Sequence, residues 1–240
     1  MQSDFGKLMT PSLNTGKKRS EVHVAALASG GLDSSVMLGE LSKTFDEVIP
    51  TYVRCGLQWE STELAVLRDF VAALRNSRVK PVQVLDVPMS DVYAGHWSTV
   101  GGQIPGYNEP DQHWEIPGRN LILLVKTAVW CKLHDVRTIA LGSLRTNPFS
   151  DATSDFFTHL ERAFSTGLGM DLRISRPLEK LHKHEIIELG RKYPLELTLS
   201  CASPLGRAHC GQCGKCRERI NAFAETDVPD RTQYAQRVST

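Results

Sequence analysis

Residues Val22 to Ala28 form a short, nearly continuous apolar run in which apolar and polar side chains do not alternate. A strand of that composition has both faces buried, as strands do in a parallel sheet covered by helices on either side. The turn Ser29-Gly30-Gly31-Leu32-Asp33-Ser34-Ser35 follows directly, and helix-forming residues continue through Leu41 with apolar side chains at Val36, Leu38 and Leu41. Strand, glycine turn and helix in that order point to an α/β fold, doubly wound and Rossmann-like, on a mostly parallel sheet.

The rest of the chain repeats the alternation. Glu47 to Val53, Pro81 to Val87, Thr138 to Leu141 and Leu172 to Ser175 read as strands. Ser61 to Leu74 reads as an amphipathic helix, with Leu64, Leu67, Val71 and Leu74 at three- and four-residue intervals. Ser61 is its expected N-cap, and Glu60 and Glu63 are placed to favour the positive helix end. Asn120 to Leu133, introduced by Pro117-Gly118-Arg119, Ser154 to Phe164 with Ser154 as cap, and His184 to Arg191 read as further helices. Pro88 to Glu115 has glycines, prolines and aromatics without period and reads as a long loop or lid. The order of the strands does not follow from this pattern.

The glycine turn carries the first chemical signal. Two adjacent glycines let backbone approach a bulky anion and take positive φ, and the helix that follows offers unpaired N–H groups and a positive dipole end. With the hydroxyls of Ser29, Ser34 and Ser35, the turn suits nucleotide phosphates. Asp33 is out of place beside an anion unless a Mg²⁺ ion or a backbone bond uses it. The string lacks the Gly-Lys-Ser/Thr of a Walker A loop and the three spaced glycines of a dinucleotide fingerprint. Ser29, Gly30, Gly31, Leu32, Asp33, Ser34 and Ser35 are the candidate nucleotide-binding residues.

Cysteine placement carries the second signal. Cys55 and Cys131 lie alone in apolar patterns, whereas Cys201, Cys210, Cys213 and Cys216 are spaced Cys-x8-Cys-x2-Cys-x2-Cys. Four convergent thiolates suit tetrahedral Zn²⁺ in a closed, structural site, and an iron–sulfur cluster is the competing occupant. Arg207, Lys215, Arg217 and Arg219 are near enough in sequence to screen the thiolate charge, and His209 could replace one sulfur.

Composition narrows the partners. Among 240 residues, 28 Lys and Arg balance 27 Asp and Glu for a formal charge of +1, so no strong electrostatic footprint points to a stable nucleic-acid or membrane partner. No apolar run approaches the roughly 20 residues needed to cross a bilayer, and Met1 to Ser20 lacks the apolar middle of a signal peptide. A cytoplasmic protein is expected. The chain divides into a flexible arm (1–20), a nucleotide-binding and catalytic domain (21–196), a four-cysteine subdomain (197–223) and a tail (224–240).

The glycine string resembles the Ser-Gly-Gly-x-Asp-Ser loop of the PP-loop ATP pyrophosphatases, which cleave ATP between the α and β phosphates and activate a substrate as its adenylate. Taken with the cysteine cluster, it resembles the 7-cyano-7-deazaguanine synthase (QueC) family. Ile116-Pro117-Gly118-Arg119-Asn120, then Arg176-Pro177-Leu178 with Leu181, Lys183 and Glu185, and Leu197-Thr198-Leu199-Ser200-Cys201 are similar to further segments of that family. The resemblance covers about Val22 to Phe223. It implies an AMP-forming C–N ligase using ATP, Mg²⁺ and Zn²⁺. The carboxylate of 7-carboxy-7-deazaguanine is adenylated, ammonia displaces AMP to give an amide, and a second activation yields the nitrile. It also implies Asp33, Arg119 and Lys183 as catalytic residues, the four cysteines as metal ligands, and a homodimer.

Two segments depart from the family. Cys55-Gly56-Leu57-Gln58-Trp59 stands where the family has Gln-Arg-His, and Ser150-Asp151-Ala152-Thr153-Ser154 where it has Tyr-Pro-Asp-Cys-Arg. Trp59 could stack on a flat heterocycle, and Asp151 or Asp155 could accept from a guanine-like N–H edge. The departures leave room for an enzyme that adenylates a different acceptor. Transfer RNA thiolation, which would draw on Cys55, Cys131 or an iron–sulfur cluster, and a non-catalytic ATP-binding regulator are the other readings.

Overall fold

A computed structural model describes residues 23–100 and 103–236; the expected arm, 1–20, lies outside them. Five parallel strands form one sheet: β1 (His23–Leu27), β2 (Glu47–Arg54), β3 (Gln83–Asp86), β4 (Thr138–Leu141) and β5 (Arg173–Ser175). Their spatial order is β3-β2-β1-β4-β5. The chain therefore builds outward from β1 in one direction and then crosses to the other side, so the order reverses between β1 and β4. In open α/β sheets a ligand crevice forms at such a reversal, outside the carboxyl ends of the strands.

The apolar run at β1 is buried on both faces. Val24 and Ala26 pack into one core with α1 (Leu32–Leu41), α6 (Lys183–Gly190) and α7 (Gly214–Ala224). Ala25 and Leu27, pointing the other way by the two-residue strand period, join the core of α4 (Arg119–Leu133) and α5 (Ser154–Leu168). The helix α2 (Glu60–Leu74) contributes Leu64 and Leu67 to the first core and Val66 to the second. Fully buried leucines such as Leu38, Leu67 and Leu124 each stabilise by roughly 1.5–3 kcal/mol. Cys201, Cys213 and Cys216 belong to the α4–α5 core.

Boundaries shift where local bonding overrides propensity. The second helix starts at Glu60 with Trp59 at its N-cap, so Ser61 does not cap it. The Glu60 carboxylate instead accepts from the Cys55 and Gly56 amides, at 2.6 and 3.1 Å, and locks the turn after β2. Thr153, not Ser154, caps α5 by accepting from the Phe156 amide. The long segment after β3 contains the short helix α3 (Trp97–Val100) and a 3₁₀ turn at Asp111–Trp114. Helix α7 has no strong apolar period in its sequence, Gly-Lys-Cys-Arg-Glu-Arg-Ile-Asn-Ala-Phe-Ala, which hides it from pattern reading. No helix among the described residues is long and apolar enough to cross a membrane.

Candidate active site

The glycine turn follows β1 at the reversal point. Gly30 has φ +78°, and a Cβ there would lie 2.8 Å from the Glu63 carbonyl oxygen, so glycine is required twice over. Its own carbonyl accepts from the Leu199 amide at 2.8 Å, which ties the turn to the segment leading into Cys201. Gly31 is the N-cap of α1, leaving the Leu32, Asp33 and Ser34 amides without intrahelical acceptors. The serines mostly hold the turn. Ser34 Oγ accepts from the Ser29 amide and donates to the Gly31 carbonyl, while Ser29 Oγ accepts from the Gly31 amide.

Two adjoining cavities open at this turn. One, about 240 Å³, lies over the ends of β1, β2 and β4 and is lined by Ala28, Thr51, Val53, Leu123 and Ser143. The other, about 310 Å³, is walled by Trp59, Trp97, Trp114 and Phe149 and floored by Leu199 to Ala202. Ser29, Gly31 and Asp33 line both, as do Glu63 and Arg119. Of the seven candidate nucleotide-binding residues, Gly30 and Ser35 line neither cavity. Ser35 is fully buried, and its Oγ has no partner among the described residues.

Asp33 and Lys183 are brought together: the Lys183 Nζ donates to Asp33 Oδ2 at 2.6 Å and approaches Glu218 Oε1 at 3.3 Å. Burial works against the Lys183 charge, but Asp33 and Glu218 outweigh it and hold the ammonium above its usual range. Burial pushes Asp33 up, with Lys183 pulling it back. Glu218 is held down at about 2, chiefly by Lys183 and then Lys215, against burial. Asp33 Oδ1 and Arg119 Nε are buried without a partner among the described residues.

Glu63 and Glu218 are the side chains that pattern reading missed. Glu63 is buried, accepts from Tyr52 Oη at 2.9 Å, and is pushed up to about 7 by burial, with Arg119 and the Tyr52 bond opposing. A glutamate one turn into the helix that leaves β2 was the available signal. The helix dipole absorbed it.

Several expectations need correction. Trp59 stacks on Trp97 with ring centroids 5.6 Å apart, so one of its faces is already covered. Asp151 binds the start of α4, accepting from the Asn120 amide at 2.9 Å and from its Nδ2, and lines neither cavity. Asp155 is exposed in the first turn of α5, outside both. Cys55 and Cys131 are buried thiols pushed up to about 11 and about 12 by burial, so neither offers a ready thiolate.

Cys201, Cys210, Cys213 and Cys216 place their sulfurs within 4.8 Å of one another, an arrangement that could hold a metal ion. The Ser203 and Cys210 amides donate to Cys201 Sγ, Gly211 to Cys216 Sγ and Gln212 to Cys210 Sγ, at 3.3 to 3.4 Å. Backbone amides, rather than the expected cations, therefore face the sulfurs. Arg207 pairs with Asp69, Lys215 with Glu218, and Arg217 reaches the Tyr107 and Glu109 carbonyls. Arg219 is wholly buried and donates to Thr198, Thr232 and the Leu195 carbonyl. His209 is not a ligand: its Nε2 accepts from the Ser200 amide at 2.9 Å.

A parallel sheet with a glycine turn at its reversal point, an unpaired helix start and a carboxylate–ammonium pair beside it defines an ATP-binding fold of the PP-loop class. Within that class, the family model described as queuosine biosynthesis protein QueC matches residues 23–227, and the chain belongs to that family. A 7-cyano-7-deazaguanine synthase of Saccharolobus solfataricus is 28% identical over 95% of this chain and 50% of that protein. Those of Aliarcobacter butzleri (27% identical, 91% of this chain, 98% of that one) and Pseudomonas fluorescens (28%, 94% and 100%) are similar along nearly their whole lengths. The chain thus spans half of the first and nearly all of the other two. Among solved structures, the U34-tRNA thiolase NcsA from Methanococcus maripaludis has a TM-score of 0.49 at 15% identity, over 93% of this chain and 70% of that one.

Proposed function

We propose that this chain is a 7-cyano-7-deazaguanine synthase: it adenylates the carboxylate of 7-carboxy-7-deazaguanine with ATP, admits ammonia to form the amide, and activates the amide again to form the nitrile. The observation that carries this reading is the pair of cavities meeting on the glycine turn. The lobe over β1, β2 and β4 suits adenosine, and the tryptophan-walled lobe suits a flat heterocycle. The α-phosphate and the acceptor carboxylate then meet at the junction. A carboxylate is a poor electrophile; with AMP as leaving group, ammonia can attack.

The turn amides and the side chains of Lys183 and Arg119 would stabilise charge on the phosphoryl group in flight. Asp33 Oδ1, buried and without a partner among the described residues, is a hard oxygen donor that fits Mg²⁺. The ion would supply charge neutralisation at the phosphates. In the cysteine cluster, the Cys210–Cys216 sulfur separation of 3.8 Å matches the edge of a tetrahedron with Zn–S bonds of about 2.3 Å. Four sulfur donors fit Zn²⁺, and with all four positions filled by protein the metal would serve structure.

Purified protein incubated with 7-carboxy-7-deazaguanine, ATP, Mg²⁺ and ammonium is expected to release AMP and pyrophosphate and to form the nitrile. Absence of AMP release dependent on that carboxylate overturns the reading.

A further inference from the structure

Displacement of AMP by ammonia leaves a proton on nitrogen that must be removed where the acyl carbon sits, at the junction of the two cavities. Among the titratable side chains lining both cavities are Asp33, Glu63 and Arg119. Asp33 is engaged by the Lys183 ammonium at 2.6 Å, and Arg119 is a cation without a basic lone pair. Glu63 remains. Its carboxyl accepts from a neutral donor, Tyr52 Oη at 2.9 Å, with no salt bridge among the described residues.

Resting on the synthase reading above, we propose that Glu63 is the general base for the ammonia step. Ammonia adds to the carbonyl carbon of the acyl adenylate, forming the C–N bond as the carbonyl electron pair moves to oxygen. The Glu63 carboxylate takes one proton from the nitrogen. The C–O bond to AMP then breaks as the carbonyl re-forms, leaving the amide, AMP and a protonated Glu63 that returns its proton to solvent when product leaves.

The surroundings of Glu63 tune it for this work. Burial raises its pKa to about 7; Arg119 from α4 and the Tyr52 hydroxyl from β2 lower it, and Glu60 on its own helix raises it. Asp33 from α1 lines the same junction, and burial keeps the Cys55 thiol, near enough to feel the Glu63 charge, protonated. A base is most effective when its pKa lies near the working pH.

The test measures two steps separately on the full chain: carboxylate-dependent ATP–pyrophosphate exchange for adenylation, and amide formation at fixed free ammonia for the proton transfer. Glu63→Gln is expected to lower exchange less than tenfold and amide formation at least a hundredfold. The wild-type amide rate, expressed per unprotonated ammonia, should rise with pH through about 7; this limb should vanish in Glu63→Gln. Tyr52→Phe removes a bond that favours the ionised carboxylate, so it should move the limb to higher pH. Equal loss of both steps in Glu63→Gln, or an unmoved limb in Tyr52→Phe, overturns the role of Glu63. No exchange in the wild type instead defeats the synthase reading and takes this inference with it.

Discussion

The Lys183 ammonium donates to Asp33 across 150 residues of sequence, at 2.6 Å, and so joins the first turns of α6 and α1 beside the glycine turn. A third group, Glu218 of α7, meets Lys183 from the other side at 3.3 Å. The cation is thus fixed by two carboxylates before any phosphate arrives.

Replacing it should therefore affect chemistry and stability together. Lys183→Met leaves Asp33 without its cation while Glu218 keeps Lys215 at 3.2 Å, and an uncompensated carboxylate beside the turn costs several kcal/mol or becomes protonated. Carboxylate-dependent ATP–pyrophosphate exchange is expected to fall about 100- to 1,000-fold, with a lowered melting temperature. The double variant Asp33→Asn with Lys183→Met should be closer to wild-type stability than Lys183→Met alone.

Gly30→Ala tests the turn itself. The residue has φ +78°, and the added Cβ would press against the Glu63 carbonyl at 2.8 Å. Backbone atoms cannot swing aside as a side chain can. A loss of about 1–3 kcal/mol in denaturant unfolding is expected, with ATP affinity by calorimetry reduced at least tenfold. Unchanged affinity would show that the turn does not shape the nucleotide site.

Metal removal should reach the nucleotide site through Leu199, whose amide donates to the Gly30 carbonyl only two residues before Cys201. Elemental analysis is expected to give one zinc per chain and no iron. Chelation should weaken ATP binding, and zinc should restore it. A brown protein containing iron and sulfide would contradict the assignment of zinc.

Glu218 gives a stability signature with a defined sign. Its carboxyl is held down at about 2 by Lys183 and Lys215. A group depressed in the folded state contributes stability above its unfolded pKa, about 4.3 for glutamate, and loses it as pH falls toward the folded value. The denaturation midpoint of the wild type should drop between about pH 5 and pH 2 more steeply than that of Glu218→Gln. Parallel curves would contradict the pairing.

Much of this arrangement was legible from residues alone. The unbroken apolar run at Val24 to Ala28 required a strand buried on both faces, and the two-residue alternation of Val24 and Ala26 against Ala25 and Leu27 into separate cores is its direct consequence. The cysteine spacing brought four sulfurs together as anticipated. Strand order was not legible, because it depends on which crossover packs where rather than on any local pattern. Glu60 and Glu63 were read as dipole partners because helix position is visible in sequence, whereas the Glu60 bonds to the Cys55 and Gly56 amides depend on how the turn after β2 folds back, and the Glu63 bond to Tyr52 joins a helix to a strand. Helix α7 escaped because its buried face, Cys216, Arg219, Ala222 and Phe223, carries a cysteine and an arginine in place of a continuous apolar stripe. Trp97 and Trp114 became cavity walls only once the irregular segment after β3 folded back over the junction.

The central claim, that the glycine turn presents the α-phosphate of ATP to a carboxylate, is tested most directly by following oxygen. With 7-carboxy-7-deazaguanine labelled with ¹⁸O in its carboxylate, attack on the α-phosphorus transfers one labelled oxygen to AMP when ammonia displaces it. AMP bearing a single ¹⁸O on its phosphate is the result predicted. Unlabelled AMP, or ADP as the product, would contradict it.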